Sequence, residues 1–295
     1  MGDGELGAGS TVDAPRFPFG RPSTPRGPRT PNGHAGLFVL GVYPSALHVR
    51  REPPAWARRD LGISTVAALA VDDEPSVFWD GADADDRVSE WSDDVGFLEG
   101  DEEGRWGRVR PAGNGTSGRS VVEGVLGPLG IEAESTWFSD AVDRFFIKWA
   151  GGGRQRQQAN AIAADYEPFA RATGLPSASL PLRPAVAELV DLAASEHRER
   201  LRKELVNSRS PLVVTLGEEA RRVLAVVADE VEGGPTRPLD GKRFAEYPAD
   251  YGEAGALCVG DMTARWLALV HPGQRSPRWQ QLHGRWRSLV RGKAG

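Results

Sequence analysis

Apolar residues in this chain fall into short continuous runs separated by stretches of helical spacing. The first run, Leu37-Phe38-Val39-Leu40, is closed by Gly41 and Pro44, which predicts a buried strand ending in a tight loop. Residues 63–71, rich in β-branched residues and alanine, predict a second strand, and Ser135-Thr136-Trp137-Phe138 a third. Residues 211–216 run into Gly217 as a fourth, residues 256–259 are a fifth, and residues 266–270 stop at His271-Pro272-Gly273 as a sixth. Between these runs, residues 119–126 and 184–205 have helical spacing. Residues 218–228 read as a helix whose first acids complement its dipole, and a last helix puts Trp279, Leu282, Trp286, Leu289 and Val290 on one face with arginines opposite.

Strands alternating with helices predict an α/β fold: a mainly parallel sheet with helices on both faces, in which ligands bind at the carboxyl ends of strands. The loops after Leu40, Phe138 and Val270 are therefore the places to look for chemistry. Neither a Gly-x-Gly-x-x-Gly after the first strand nor a Walker lysine loop is present, which removes support for dinucleotide and nucleoside triphosphate chemistry. Residues 1–34 are rich in Gly, Pro and Arg and poor in apolar residues, so they are expected to stay a disordered tail, with one domain over residues 35–295. The Gly- and Gln-rich residues 151–158 are expected to form a mobile loop.

The 295 residues, 40% hydrophobic, can support a real core. No apolar run reaches the roughly 18 residues of a membrane span and no secretory signal opens the chain, so a cytoplasmic monomer without membrane contact is expected. The single cysteine, Cys258, excludes disulfides within the chain and cysteine-held clusters or zinc; it reads as a buried thiol, and no metal or cofactor is expected. A net charge of −5 argues weakly against coating nucleic acid, yet its distribution is uneven. From Asp72 to Glu103 the acids face only Arg87, whereas after Asp261 there is no carboxylate and Arg265, Arg275, Arg278, Arg285, Arg287, Arg291 and Lys293 suit a polyanion.

The strand ends, in order, resemble the uracil-DNA glycosylase superfamily over roughly residues 36 to 290. Leu37 to Ala46 looks like its first motif, a strand followed by Gly-x-x-Pro (Gly41, Val42, Tyr43, Pro44, then Ser45), whose loop lies beside the target sugar and base. Trp137-Phe138-Ser139-Asp140-Ala141-Val142 resembles the second-motif strand, residues 213–220 its strand-glycine-helix segment with Gly217, and Leu269-Val270-His271-Pro272-Gly273 its His-Pro-Ser motif. The resemblance implies an enzyme that flips a nucleotide out of DNA, single- or double-stranded, and hydrolyses the bond between a damaged or modified base and deoxyribose. It also implies roles. Phe78 or Trp79 is the platform for the base, beside Gly41, Val42 and Tyr43. His271 donates to the base oxygen that gains charge, and Pro44, Ser45, Gly217, Gln274, Arg275 and Ser276 meet the DNA, Arg275 at a phosphate.

Two departures matter. The first-motif places that hold aspartate, glutamate or asparagine in family members are Tyr43 and Val42, so that loop brings no carboxylate or amide side chain. At the place of the asparagine that reads uracil stands Asp140, which when ionised only accepts hydrogen bonds and would favour a cytosine amine over uracil O4. Asp140 has two other readings, a water-orienting group or the cap of a helix from Ala141 to Lys148. Two other functions stay open: a catalytically silent DNA- or nucleobase-binding member, and a nucleotide-binding interaction protein whose acidic segment meets a basic partner.

Overall fold

The computed structural model describes residues 14–148, 157–236, 238–239, 250–271, 273–274 and 276–294. Its strands are β1 (Leu37–Gly41), β2 (Ala46–Glu52), β3 (Val66–Asp73), β4 (Arg108–Pro111), β5 (Thr136–Asp140), β6 (Leu212–Leu216), β7 (Glu230–Glu232), β8 (Gly255–Val259) and β9 (Met262–Leu269). The α-helices are α1 (Ala55–Leu61), α2 (Ala84–Asp94), α3 (Thr116–Val121), α4 (Gly127–Leu129), α5 (Gln157–Asn160), α6 (Glu167–Thr173), α7 (Val186–Glu196), α8 (Arg198–Ser208), α9 (Glu218–Val227) and α10 (Pro277–Ala294). A wider π-turn, Val122–Leu126, joins α3 to α4, and another, Ala161–Tyr166, joins α5 to α6.

Every residue of β1 is buried, so both of its faces are covered, as a continuous apolar run requires of a central strand. It lies in a six-stranded sheet of order β5-β1-β6-β9-β8-β7, in which β5, β1, β6 and β9 run parallel and β8 and β7 run antiparallel to their neighbours. The predicted α/β class holds, with a mixed and mostly parallel main sheet. The parallel register pairs Gly41 with Asp140 and Leu216 with Leu269, so the loops after these four strands leave from one edge. The chain passes from β1 to β5 on one side and then to β6 on the other, which puts the switch point, where crevices open in such sheets, between β1 and β6.

A second sheet, β3-β2-β4, is antiparallel and has its own apolar core. The run predicted at residues 63–71 belongs here, outside the main sheet. Neither β2 nor β4 stands out as an apolar run, because β2 carries His48, Arg50 and Arg51 and so looks solvated. Arg51 is fully buried instead, its guanidinium 4.1 Å from the Phe169 ring centroid, which replaces water with an aromatic face.

The predicted tail is corrected from Ala14 onward; residues 1–13 lie outside the described residues. Phe17 and Phe19 are buried in the second core, and Thr24 donates to Asp73 through its backbone N–H (2.8 Å) and its hydroxyl (3.0 Å). Arg29 exchanges backbone hydrogen bonds of 2.9 Å with Phe138, covering the open edge that β5 would otherwise present. Proline-rich composition hid this because two phenylalanines suffice to anchor an extended segment. Elsewhere the expected helix at residues 184–205 breaks at His197 into α7 and α8, Leu289 of α10 is 67% exposed rather than packed, and Cys258 is only half-buried. Residues 151–156 of the expected loop lie outside the described residues, and residues 157–160 are helical. Among the described residues no helix is long and apolar enough to cross a membrane.

Candidate functional site

Because β1 and β6 end at the same sheet edge, the loop after β1 faces the turn after β9, and a cavity of about 580 Å³ opens between them. Val42, Tyr43, Pro44 and Ser45 form one wall, His271, Gly273 and Gln274 another, with Arg183, Glu219 and Lys148 between. The Tyr43 ring stands edge-on to Phe146 at 5.7 Å, and the Arg183 guanidinium lies 5.7 Å above it while pairing with Glu219 at 2.7 Å. Tyr43 and His271 therefore border one cavity, whereas Asp140, expected to line the same pocket with them, does not.

His271 is held in one tautomer. The Gly273 backbone N–H donates to its Nδ1 at 3.0 Å, so the ring proton is carried on Nε2. Burial, helped by Lys148 and Arg183 against the opposing pull of Glu219, lowers its pKa to about 4, so the imidazole is neutral at neutral pH. Gln274 closes the turn by donating its N–H to the His271 carbonyl (2.8 Å) and accepting from the Ser276 N–H at its side-chain oxygen (3.1 Å). Gly217, with φ of +91°, gives His271 room: a side chain there would meet the His271 Cβ at 3.3 Å. Pro272 and Arg275 lie outside the described residues.

Asp140 and Phe78 converge on Gly41 from the other side. A Cβ on Gly41 would collide with Asp140 Oδ1 and with the Phe78 ring edge, so glycine is required for both to approach the strand end. Phe78 itself adopts φ of +54°, a left-handed backbone costing a non-glycine residue about 1–2 kcal/mol, which the surrounding core sustains. Neither side chain lines the 580 Å³ cavity. Of the two aromatic candidates Phe78 packs against Gly41 and borders a separate cavity of about 350 Å³ with Arg29 and Ile131, so the platform expected of it is not in the 580 Å³ cavity. Trp79 turns into the second core and donates its indole N–H to Asp83 at 2.7 Å.

The sequence-based view of Asp140 changes in two respects. The residues after it form bends rather than a helix, so the cap reading falls. Its carboxyl is also not an ordinary ionised one. Burial, then repulsion from Glu74 and Glu204, raises its pKa well above the usual carboxylate range against the opposing pull of Arg200. Arg200 fixes the strand end, donating to the Asp140 and Ala141 carbonyls (2.8 and 3.2 Å) while pairing with Glu204 at 2.9 Å.

Glu74 was missed. It closes the acidic triplet Asp72-Asp73-Glu74, which in sequence looks like a solvated surface, yet it is 5% exposed and accepts the Ser45 backbone N–H at 2.8 Å. Burial, and after it the opposed effects of the Ser45 hydrogen bond, Arg26 and Asp73, leave its carboxyl raised to about 7. The only signal in the sequence was the proline that follows it, which turns the chain back toward the sheet. No protein-family model and no curated protein matches this chain.

Proposed function

We propose that this protein is a DNA glycosylase of the uracil-DNA glycosylase type, which flips a nucleotide and hydrolyses the bond between its base and deoxyribose. The observation that carries the reading is the meeting of the four resembling segments at one sheet edge. Tyr43 and neutral His271 border a cavity there, and Asp140 and Phe78 lie against Gly41 next to it. A neutral imidazole with its proton on Nε2 can donate a hydrogen bond to a base oxygen as negative charge develops there. Burial and the neighbouring carboxyls push Asp140 toward the protonated acid, which donates one hydrogen bond and accepts another as an asparagine amide does, and to that extent the reading leans toward a uracil-like edge. Ser45, Gln274 and Ser276, with Arg275, are assigned to the DNA backbone.

The test is a panel of single- and double-stranded oligonucleotides carrying uracil, hypoxanthine or modified cytosines, read as strand breaks at abasic sites after alkali. Abasic sites at uracil are the expected result; an intact strand on every substrate would end the glycosylase reading. The second reading, a silent DNA- or nucleobase-binding member, is favoured by one feature. Val42 and Tyr43 leave the first-motif loop without a carboxylate of its own. Salt-dependent binding without abasic sites selects it.

A further inference from the structure

Several polar side chains on the wall of the 580 Å³ cavity are already engaged. Gln158 commits both ends of its amide to β3, donating to the Ala68 carbonyl at 2.7 Å and accepting from the Ala70 N–H at 3.0 Å. Arg183 and Glu219 hold each other, and the Gln274 side-chain oxygen accepts the Ser276 N–H. The hydroxyls of Ser45 and Ser117 rotate to either role, and Lys148 only donates. His48 is different. The pairing of β2 with β3 shifts register between Leu47 and His48, an irregularity of the kind that re-aims a side chain, and His48 borders the cavity from β2.

The His48 backbone is clamped by Asn114, whose side-chain oxygen accepts the His48 N–H at 2.8 Å and whose amide donates to the His48 carbonyl at 2.9 Å. Its ring stands edge-on to Phe145 at 6.3 Å, and its Nδ1 lies 2.7 Å from the Ala46 carbonyl oxygen. A carbonyl only accepts, so the ring proton is on Nδ1 and Nε2 carries a lone pair. Burial lowers the His48 pKa to about 4 against the opposing pull of that hydrogen bond, so the ring is neutral at neutral pH. Nε2 has no hydrogen-bond partner among the described residues. His271 holds the opposite tautomer, with its proton on Nε2. Two fixed, uncharged rings thus border one cavity, one with an N–H to give and the other with a lone pair to fill.

We propose that His48 selects the base, accepting at Nε2 the ring N–H of a base in which that N–H adjoins a carbonyl, as in uracil or hypoxanthine. This assignment rests on the reading of the cavity as a base pocket and names what the pocket tells apart. The base carbonyl is left to the His271 N–H. Cytosine carries a lone pair at the corresponding ring nitrogen, which would face the lone pair of His48, and an acceptor buried without its donor lowers affinity for the wrong base.

The experiment uses the full chain with its histidines labelled with heavy nitrogen, titrated by NMR to about 10 mM ligand, a range that reaches weak small-ligand complexes. The probes are 1-methyluracil, whose N1 is blocked as it is by deoxyribose, 1,3-dimethyluracil, which has lost the ring N–H, and 1-methylcytosine. In the wild type 1-methyluracil should move the Nε2 resonances of both His48 and His271, and the other two should bind about tenfold or more weaker. His48→Asn keeps a donor for Ala46 but leaves nothing at the place of Nε2, so the three ligands should come within a few-fold of one another at an unchanged melting temperature. His48→Gln returns an acceptor to that place and should restore the preference, which a merely structural role would not do. Movement of His271 alone by 1-methyluracil, or an undiminished preference in His48→Asn, overturns the role of His48 and leaves the base pocket standing. Resonances of both histidines unmoved by all three ligands overturn the pocket reading and this assignment together.

Discussion

An ionised carboxyl only accepts hydrogen bonds, whereas the protonated acid both donates and accepts. Asp140 is held toward the protonated form, first by burial and then by Glu74. Asp140→Asn therefore exchanges one donor-acceptor pair for another. Its base preference and its rate at neutral pH should stay near wild type. Because a raised pKa means that the group ionises as pH climbs, the wild type should lose uracil excision on the alkaline side, and the variant should not. Excision rates on uracil and cytosine-type substrates across pH check this, and a switch from cytosine to uracil in the variant would show the carboxyl to be ionised after all. His271, Tyr43 and Gly41 were legible in the sequence because each lies where an apolar run ends. Glu74 and the protonation of Asp140 were not, since both depend on which carboxyls the fold buries together.

Elements follow the same division. β1, β5, β6, β8 and β9 were legible because strands of the main sheet leave apolar runs. β2 and β4 were hidden by charged residues that the second sheet tolerates, Arg51 through aromatic contact and β4 through half-exposure at an edge. The N-terminal segment was the largest miss. Phe19 lies 5.2 Å from Tyr166 and 5.5 Å from Trp91 by ring centroids, and its backbone N–H donates to the Tyr166 hydroxyl at 2.7 Å. Such a residue is part of a core, not of a tail. Phe19→Ala should destabilise the protein by about 3 kcal/mol, the usual cost of emptying a buried aromatic position, as measured by urea unfolding. An unchanged midpoint would return the segment to the solvated tail its composition suggests.

Charge is read at the scale of the whole molecule, because net charge and its placement lead to different expectations. The acids of residues 72–103 are partly spent within the fold: Arg87 pairs with Asp83 and Glu90, Asp72 with Arg21, and Asp101 with Arg58 and Arg108. The carboxylate-free end of the chain forms α10, which buries Trp279, Leu282 and Trp286 and keeps its bases outward of them. Arg287 borders a cavity of about 200 Å³ that also contains His271, so the basic face of α10 continues from the candidate site. A duplex whose target base entered beside His271 would run its phosphates past this helix. Each phosphate neutralised releases counterions, which makes the logarithm of affinity fall with the logarithm of salt concentration by about 0.9 per contact. Arg287→Gln and Arg291→Gln should therefore each weaken DNA binding irrespective of sequence and lower that slope by about 1, as followed by fluorescence anisotropy over a salt series. Neither change touches the three buried apolar residues that hold α10, so melting temperature should be preserved. Unaltered slopes in both variants would place the phosphates on another face, whereas a lower slope with excision retained at low salt would mark α10 as a backbone contact separate from the chemistry.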